Sequence, residues 1–218
     1  MDISAITNIV GYVIYTALAL IALWGAFCVI IVLRRVAQIR FRTEQEQNEF
    51  LEHVDESLAE GDYQAATETC DVDQRAMSQL ALLALTNRHL GYAKIRTLLP
   101  DHFQRDVLSD LEYRLSWVYT VIKAAPMVGL LGTVVGMMGA FAKLASSDQN
   151  VDPTQLADNI SLALITTAAG LAIAIPLVLA TASINVNIRK MEDLVSSGLS
   201  RFLESFREAM THFPYEEE

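Results

Sequence analysis

Ala124-Ala125-Pro126-Met127-Val128-Gly129-Leu130-Leu131-Gly132-Thr133-Val134-Val135-Gly136-Met137-Met138-Gly139-Ala140 is a run of 17 residues without a charge. At about 1.5 Å per helical residue it covers most of the hydrocarbon core of a bilayer. Its one hydroxyl belongs to Thr133, with Gly129 four residues before it, Gly136 three after and Ala140 seven after. Helical spacing places these on one face, and Gly132 adds a further small residue beside it. In a membrane, a face of small residues lets a second helix come close. A hydroxyl on such a face is either a packing device bonded to backbone or part of an ion path.

The arrangement recurs in Ile160-Ser161-Leu162-Ala163-Leu164-Ile165-Thr166-Thr167-Ala168-Ala169-Gly170-Leu171-Ala172-Ile173-Ala174. Around Thr167, Ala163 lies four before, Gly170 three after and Ala174 seven after. Thr166, turned by about 100°, has Leu162 and Ile173 on its own face. The spacing therefore selects Thr167 as the counterpart of Thr133.

The 218-residue chain is 52% hydrophobic, little above a soluble average, so distribution rather than composition decides its class. No charge falls in Ile3 to Leu33, Ala124 to Ala142 or Asn159 to Ile188. Three such runs predict three transmembrane helices. The fold class expected is an all-α membrane protein whose long helices extend into a cytoplasmic helical domain. A net charge of -10 argues against a nucleic-acid partner, which needs a basic patch. Cys28 and Cys70 show no metal spacing, and His53, His89, His102 and His212 all lie outside the apolar runs. The N-terminal run follows Asp2, lacks a basic leader and is too long for a signal peptide, so it reads as a retained anchor.

Residues 1–33 form the first span. Tyr12, Tyr15, Trp24 and Phe27 make it bulky, which suits a lipid-facing helix outside a bundle. Arg34, Arg35, Arg40 and Arg42 follow at once and mark the cytoplasmic side, while Asp148, Asp152 and Asp158 mark the opposite loop. Arg189 and Lys190 follow the third span; Lys143, near the outer end of the second, can snorkel. The expected order is a periplasmic N-terminus, a cytoplasmic domain at 34–117, span two at 118–145 and a short periplasmic loop at 146–158. Span three at 159–188 and a cytoplasmic amphipathic helix with tail at 189–218 complete it.

Within the cytoplasmic domain, Thr43-Glu44-Gln45-Glu46 reads as a capping box opening a helix to about Glu60, with Phe50, Leu51, Val54 and Leu58 as its stripe. Gly61-Asp62 breaks it. Tyr63 to Cys70 is a short helix, and Met77 to Asn87 an apolar one with Leu80, Leu83 and Ala84 at core spacing. Pro100-Asp101 is read as the start of a helix that continues unbroken into span two, with Phe103, Val107, Leu108, Leu111 and Leu115 as its buried stripe. The acidic residues from Glu44 to Glu56 read first as a solvated helix face, with docking of a basic partner or inner-membrane machine part as the alternative. Pro126 and Pro176 lie inside spans two and three, where proline removes a backbone hydrogen bond and kinks a helix. Met191, Leu194, Leu199, Phe202, Leu203 and Phe206 give the C-terminal helix its apolar side.

The central turns of the spans contain no Asp, Glu, His or Arg. An ion path through a bilayer ordinarily needs an ionisable group there. Two readings stand: a passive membrane scaffold, or a path whose carboxylate comes from another chain. No phosphate loop, His-Cys cluster or nucleophile elbow points to catalysis, and no cofactor is expected.

Ala125-Pro126-Met127-Val128-Gly129-Leu130-Leu131-Gly132-Thr133-Val134-Val135-Gly136-Met137-Met138, followed by Phe141, resembles the second-span signature of the MotA/TolQ/ExbB family. Ala163-Leu164-Ile165-Thr166-Thr167-Ala168-Ala169-Gly170-Leu171 with Ala174-Ile175-Pro176 resembles its third-span signature. Three spans with one large cytoplasmic insert resemble the TolQ/ExbB branch. The resemblance implies a ring of five copies around the single helices of two copies of an ExbD/TolR-type partner. That partner supplies a membrane aspartate, and inward proton flow drives rotation. A periplasm-spanning TonB/TolA-like protein would carry the force, for nutrient import or envelope maintenance. By residue match, Thr133 and Thr167 are the pore-facing hydroxyls, with Gly129, Gly132, Gly136, Ala140, Ala163, Gly170 and Ala174 packing around them. One position departs: ExbB-like members often carry a glutamate five residues before the second threonine, and here it is Leu162. Sodium therefore stays open beside protons.

Overall fold

The computed structural model describes residues 3–146 and 153–213, and it is helical throughout apart from short turns. Among the described residues, seven α-helices follow one another: α1 Ile3–Ile39, α2 Glu44–Ala59, α3 Tyr63–Asp71, α4 Ala76–Thr86, α5 Tyr92–His102, α6 Ser109–Ser146 and α7 Pro153–His212. Among the described residues, three helical stretches are long and apolar enough to cross a membrane, within α1, α5–α6 and α7. The chain divides into two compact units, one of residues 1–31 and 114–183, the other of 32–113 and 184–218.

The first unit holds the uncharged runs. Trp24, Phe27 and Tyr12 of α1 are more than half exposed. One position on α1 is different. A Cβ on Gly25 would stand 2.8 Å from both Leu177 Cδ1 and Val121 Cγ1, so α1 meets α6 and α7 closely there. Trp24 packs edge-on to Trp117, with ring centroids 6.5 Å apart. The Tyr15 hydroxyl donates to the Leu162 carbonyl at 3.3 Å, a pair 147 residues apart.

The second unit shows why the charged part of the sequence folds. Thr43 caps α2, its Oγ1 accepting from the Glu46 amide at 3.2 Å. The box is only half formed, because the Glu46 carboxylate accepts from the Arg42 amide, at 3.1 Å, rather than from Thr43. Gly61 takes φ 77°, which only glycine adopts freely, and Asp62 then caps α3 through its Oδ1. Leu51, Val54 and Leu58 are buried as expected, together with Gln47, whose amide donates to the Leu194 carbonyl of α7 at 2.6 Å. Arg201 of α7 reaches Asp55 of α2 with Nε at 3.0 Å and Nη2 at 2.9 Å. The Tyr63 hydroxyl donates to the Phe213 carbonyl at 3.1 Å. These contacts run in the same order along α2 and the C-terminal half of α7, so the two are parallel. Of the acidic residues of α2, Glu44, Glu49, Glu52 and Glu56 are exposed, whereas Glu46 and Asp55 pair with Arg75 and Arg201.

Two expectations change. The long helix does not start at Pro100: α5 begins at Tyr92 and carries Pro100 in its last turn, with Ile95 and Leu99 fully buried. Phe103–Leu108 then forms a π-helical turn leading directly into α6. In an unbroken α-helix Leu111 would be rotated about 160° from Ile95. One extra residue in a π-turn takes back about 100°. Leu111 and Leu115 are thereby buried like Ile95 and Leu99, while Val107 and Leu108 are only half-buried. The helix that contains the third uncharged run, α7, begins at Pro153 and continues to His212. Pro at the first turn of a helix loses no hydrogen bond. The remainder of the anticipated loop and the acidic tail lie outside the described residues.

Candidate functional site

The site is the seam between α6 and α7 in the first unit, and glycine makes it. A Cβ on Gly129 would stand 2.6 Å from the Thr166 carbonyl oxygen, and one on Gly136 would stand 2.7 Å from Ala163 Cβ. One on Gly170 would stand 2.5 Å from the Ala125 carbonyl oxygen and 3.2 Å from Pro126 Cα. A Cβ on Gly132 would overlap the Thr166 side chain. Four glycines from two helices thus admit backbone-to-backbone contact that no side chain allows. Ala140, Ala163 and Ala174 are buried. Pro126 and Pro176 both lie within unbroken helices.

Three hydroxyls occupy this seam. Thr133, 8% exposed, donates to the Leu130 carbonyl of its own helix at 2.7 Å. Thr167 is half-buried and donates across the seam to the Gly129 carbonyl at 3.1 Å. Thr166 is 4% exposed and reaches the same Gly129 carbonyl at 3.0 Å and the Ala163 carbonyl of α7 at 2.7 Å. It also lines a cavity of about 230 Å³ with Gly132, Gly136, Asn159 and, from α1, Gly11 and Tyr15.

Thr133 and Thr167 therefore belong to one seam, as the paired spacing suggested, each with its proton on a backbone carbonyl. Thr166 was missed. Its signal was the three-and-four stepping of α7: Ala163, Thr166, Gly170, Ala174, Leu177 and Thr181 are all buried. That stripe makes Thr166, not Thr167, the central residue, with Thr167 on its flank. Counting from Thr167 alone assigned Ala163 and Gly170 to one hydroxyl when both threonines adjoin them.

Two closely apposed, uncharged helical stretches with backbone-bonded hydroxyls, on a chain whose described residues include three membrane-length helices, define a polytopic α-helical membrane protein with a small-residue helix seam. A sequence profile of the MotA/TolQ/ExbB proton channel family matches residues 73–197, more than half of the chain and including the whole seam. The chain belongs to that family. It is 32% identical over 159 residues to a putative biopolymer transport protein ExbB homolog of Methanothermobacter thermautotrophicus, covering 72% of this chain and 54% of that one. It is 39% identical over 104 residues to the biopolymer transport protein ExbB of Helicobacter pylori, covering 47% of this chain and 70% of that one. Similarity to the Tol-Pal system protein TolQ of Haemophilus influenzae is 35% over 95 residues, 44% of this chain and 41% of that one. These names agree with the TolQ/ExbB-like branch. The first of these alignments spans about half of the relative's length.

Proposed function

We propose that this protein is the ring-forming inner-membrane subunit of an ion-driven motor of the ExbB–ExbD or TolQ–TolR type. Protons are the expected ion and sodium the alternative. Five copies surround a single-span partner that brings the membrane aspartate. Ion flow turns one part against the other, and a TonB- or TolA-like protein transmits force for import or envelope maintenance. The N-terminus faces the periplasm and the C-terminus the cytoplasm.

The observation carrying this reading is the pairing of Thr133 and Thr167 on one glycine-built seam inside the family-matched region. Their hydroxyls lie in stretches of sequence that carry no charge, which is the place a partner's carboxylate would serve. In this role α6 and α7 line the ring interior while α1 faces lipid.

The test is ion flux through the complex reconstituted in vesicles with its single-span partner. Thr133→Val and Thr167→Val keep side-chain shape and remove the hydroxyl. Each is expected to lower driven flux at least tenfold, with the copy number in a native mass spectrum unchanged. Absence of driven flux from the wild-type complex would favour a non-conducting scaffold that anchors a cytoplasmic partner, and unchanged flux in both variants would return the two threonines to packing.

A further inference from the structure

Each threonine hydroxyl has one proton to donate and lone pairs to accept with. In this seam the protons of Thr133 and Thr167 are already committed, to the Leu130 and Gly129 carbonyls. What each hydroxyl has left is acceptor capacity. The polarity of the seam therefore depends on the Gly129 carbonyl staying where Thr167 can reach it.

Thr166 stands at that point. Its single hydroxyl proton is shared between the Gly129 carbonyl of the opposite helix at 3.0 Å and the Ala163 carbonyl of its own helix at 2.7 Å. Its Oγ1, Cβ and Cγ2 fill the space that a side chain at Gly132 would occupy. It is more deeply buried than its neighbour Thr167. An α-helical carbonyl normally serves one amide four residues on; this one accepts two hydroxyls besides.

We propose that Thr166 is the positioning residue of the seam. It clamps the Gly129 carbonyl and fixes the register of α6 against α7. Thr167 is thereby held with its proton on that carbonyl and only its lone pairs available to a cation or a protonated acid. The inference deepens the ion-path reading and rests on it. It assigns Thr166 no contact with the ion.

The test compares Thr166→Val, which keeps the branched shape, with Thr166→Ser, which keeps the hydroxyl. Both are made in the full chain, co-assembled with its single-span partner. An interhelical membrane hydrogen bond is worth about 0.6–1.7 kcal/mol, so T166V is expected to lower flux about 3- to 20-fold. T166S is expected to restore most of it. Native mass spectra should show the same copy number for both. A second readout needs no flux. The sequence contains three Gly-Leu pairs, at 129–130, 170–171 and 198–199. Carbonyl-labelled glycine with nitrogen-labelled leucine therefore gives three cross-peaks in a solid-state spectrum of the protein in bilayers. T166V should move the Gly129 peak upfield, as expected of a carbonyl losing a hydrogen bond, and T166S should leave it in place.

Wild-type flux in T166V, a static Gly129 peak, or failure of T166S to rescue overturns the proposal. So does loss of assembly in T166V, which would make the residue purely structural. The ion-path reading fails separately, if Thr133→Val and Thr167→Val both leave flux intact.

Discussion

Glycine at 132 and glycine at 11 look alike in sequence, and the fold gives them opposite tolerances. Around Gly11 no atom lies within 4 Å of an added Cβ, whereas at Gly132 that Cβ would fall inside the Thr166 side chain. Gly132→Ala must push α6 and α7 apart, which breaks both bonds to the Gly129 carbonyl. A loss of about 2–3 kcal/mol follows, from overpacking and forfeited membrane hydrogen bonds. Thermal unfolding in mild detergent is expected to show a clear fall for G132A and no change for Gly11→Ala. Equal behaviour of the two would mean the seam is slack. The role of Gly132 was legible, since small residues at helical spacing in an uncharged run point to a close partner. Which threonine the glycine receives was not, because one helix's spacing fixes a face only to within a residue. The partner helix decided for Thr166.

Whole elements were easier to foresee than their joints. The three uncharged runs, the α2 stripe and the Gly61-Asp62 break follow from period and turn chemistry alone. The Pro100 boundary did not, because proline in the last turn of α5 can sit within a helix whose next residues relax into a π-turn. Nothing local in Phe103–Leu108 announces an extra residue; the need for it comes from burying both Leu99 and Leu111. The corner between α1 and α2 is another joint, held by charge. The Glu46 carboxylate receives the Arg42 amide and an ion pair from Arg75 Nη1 at 2.6 Å. The backbone hydrogen bond chiefly, with Arg75, holds its carboxyl below the usual range. A depressed folded pKa adds stability that is present above the unfolded value and lost as pH falls through the folded one. Glu46→Gln should therefore cost about 0.5 kcal/mol at neutral pH, the scale of an exposed pair. The difference should vanish in acid below the ordinary carboxylate range. Denaturant midpoints of the two proteins at pH 7 and in acid give the comparison, and an offset that persists in acid would assign the effect to shape.

Among the described residues, hydrogen bonds link residues 147 apart in both units: Tyr15 with Leu162 in the first, Arg40 with Asn187 in the second. In the second unit Gln47 and Leu194 repeat that interval. Within the second unit the segment from Arg40 to Asp55 and the C-terminal half of α7 thus pair in parallel, although no sequence pattern relates them. Amphipathicity of the last helix was readable; its destination was not, since α3, α4 and α5 offered equally apolar faces. Its importance can be measured by ending the chain after Asn187. The truncation removes Phe202 and Phe206, both fully buried, and the Arg201 partner of Asp55. Burying each phenylalanine contributes about 2–3 kcal/mol. Leaving Asp55 half-buried without its cation adds a further penalty. Together these approach the entire stability of a small domain. Hydrogen exchange of the truncated protein in bilayers is therefore expected to show α2 to α4 unprotected. Amides of the uncharged runs should stay protected, because hydrocarbon leaves helical backbone bonds no alternative partner. Protection of α2 in the truncated chain would locate its core in α3 and α4 instead, and the parallel pairing with α7 would then be an accessory contact.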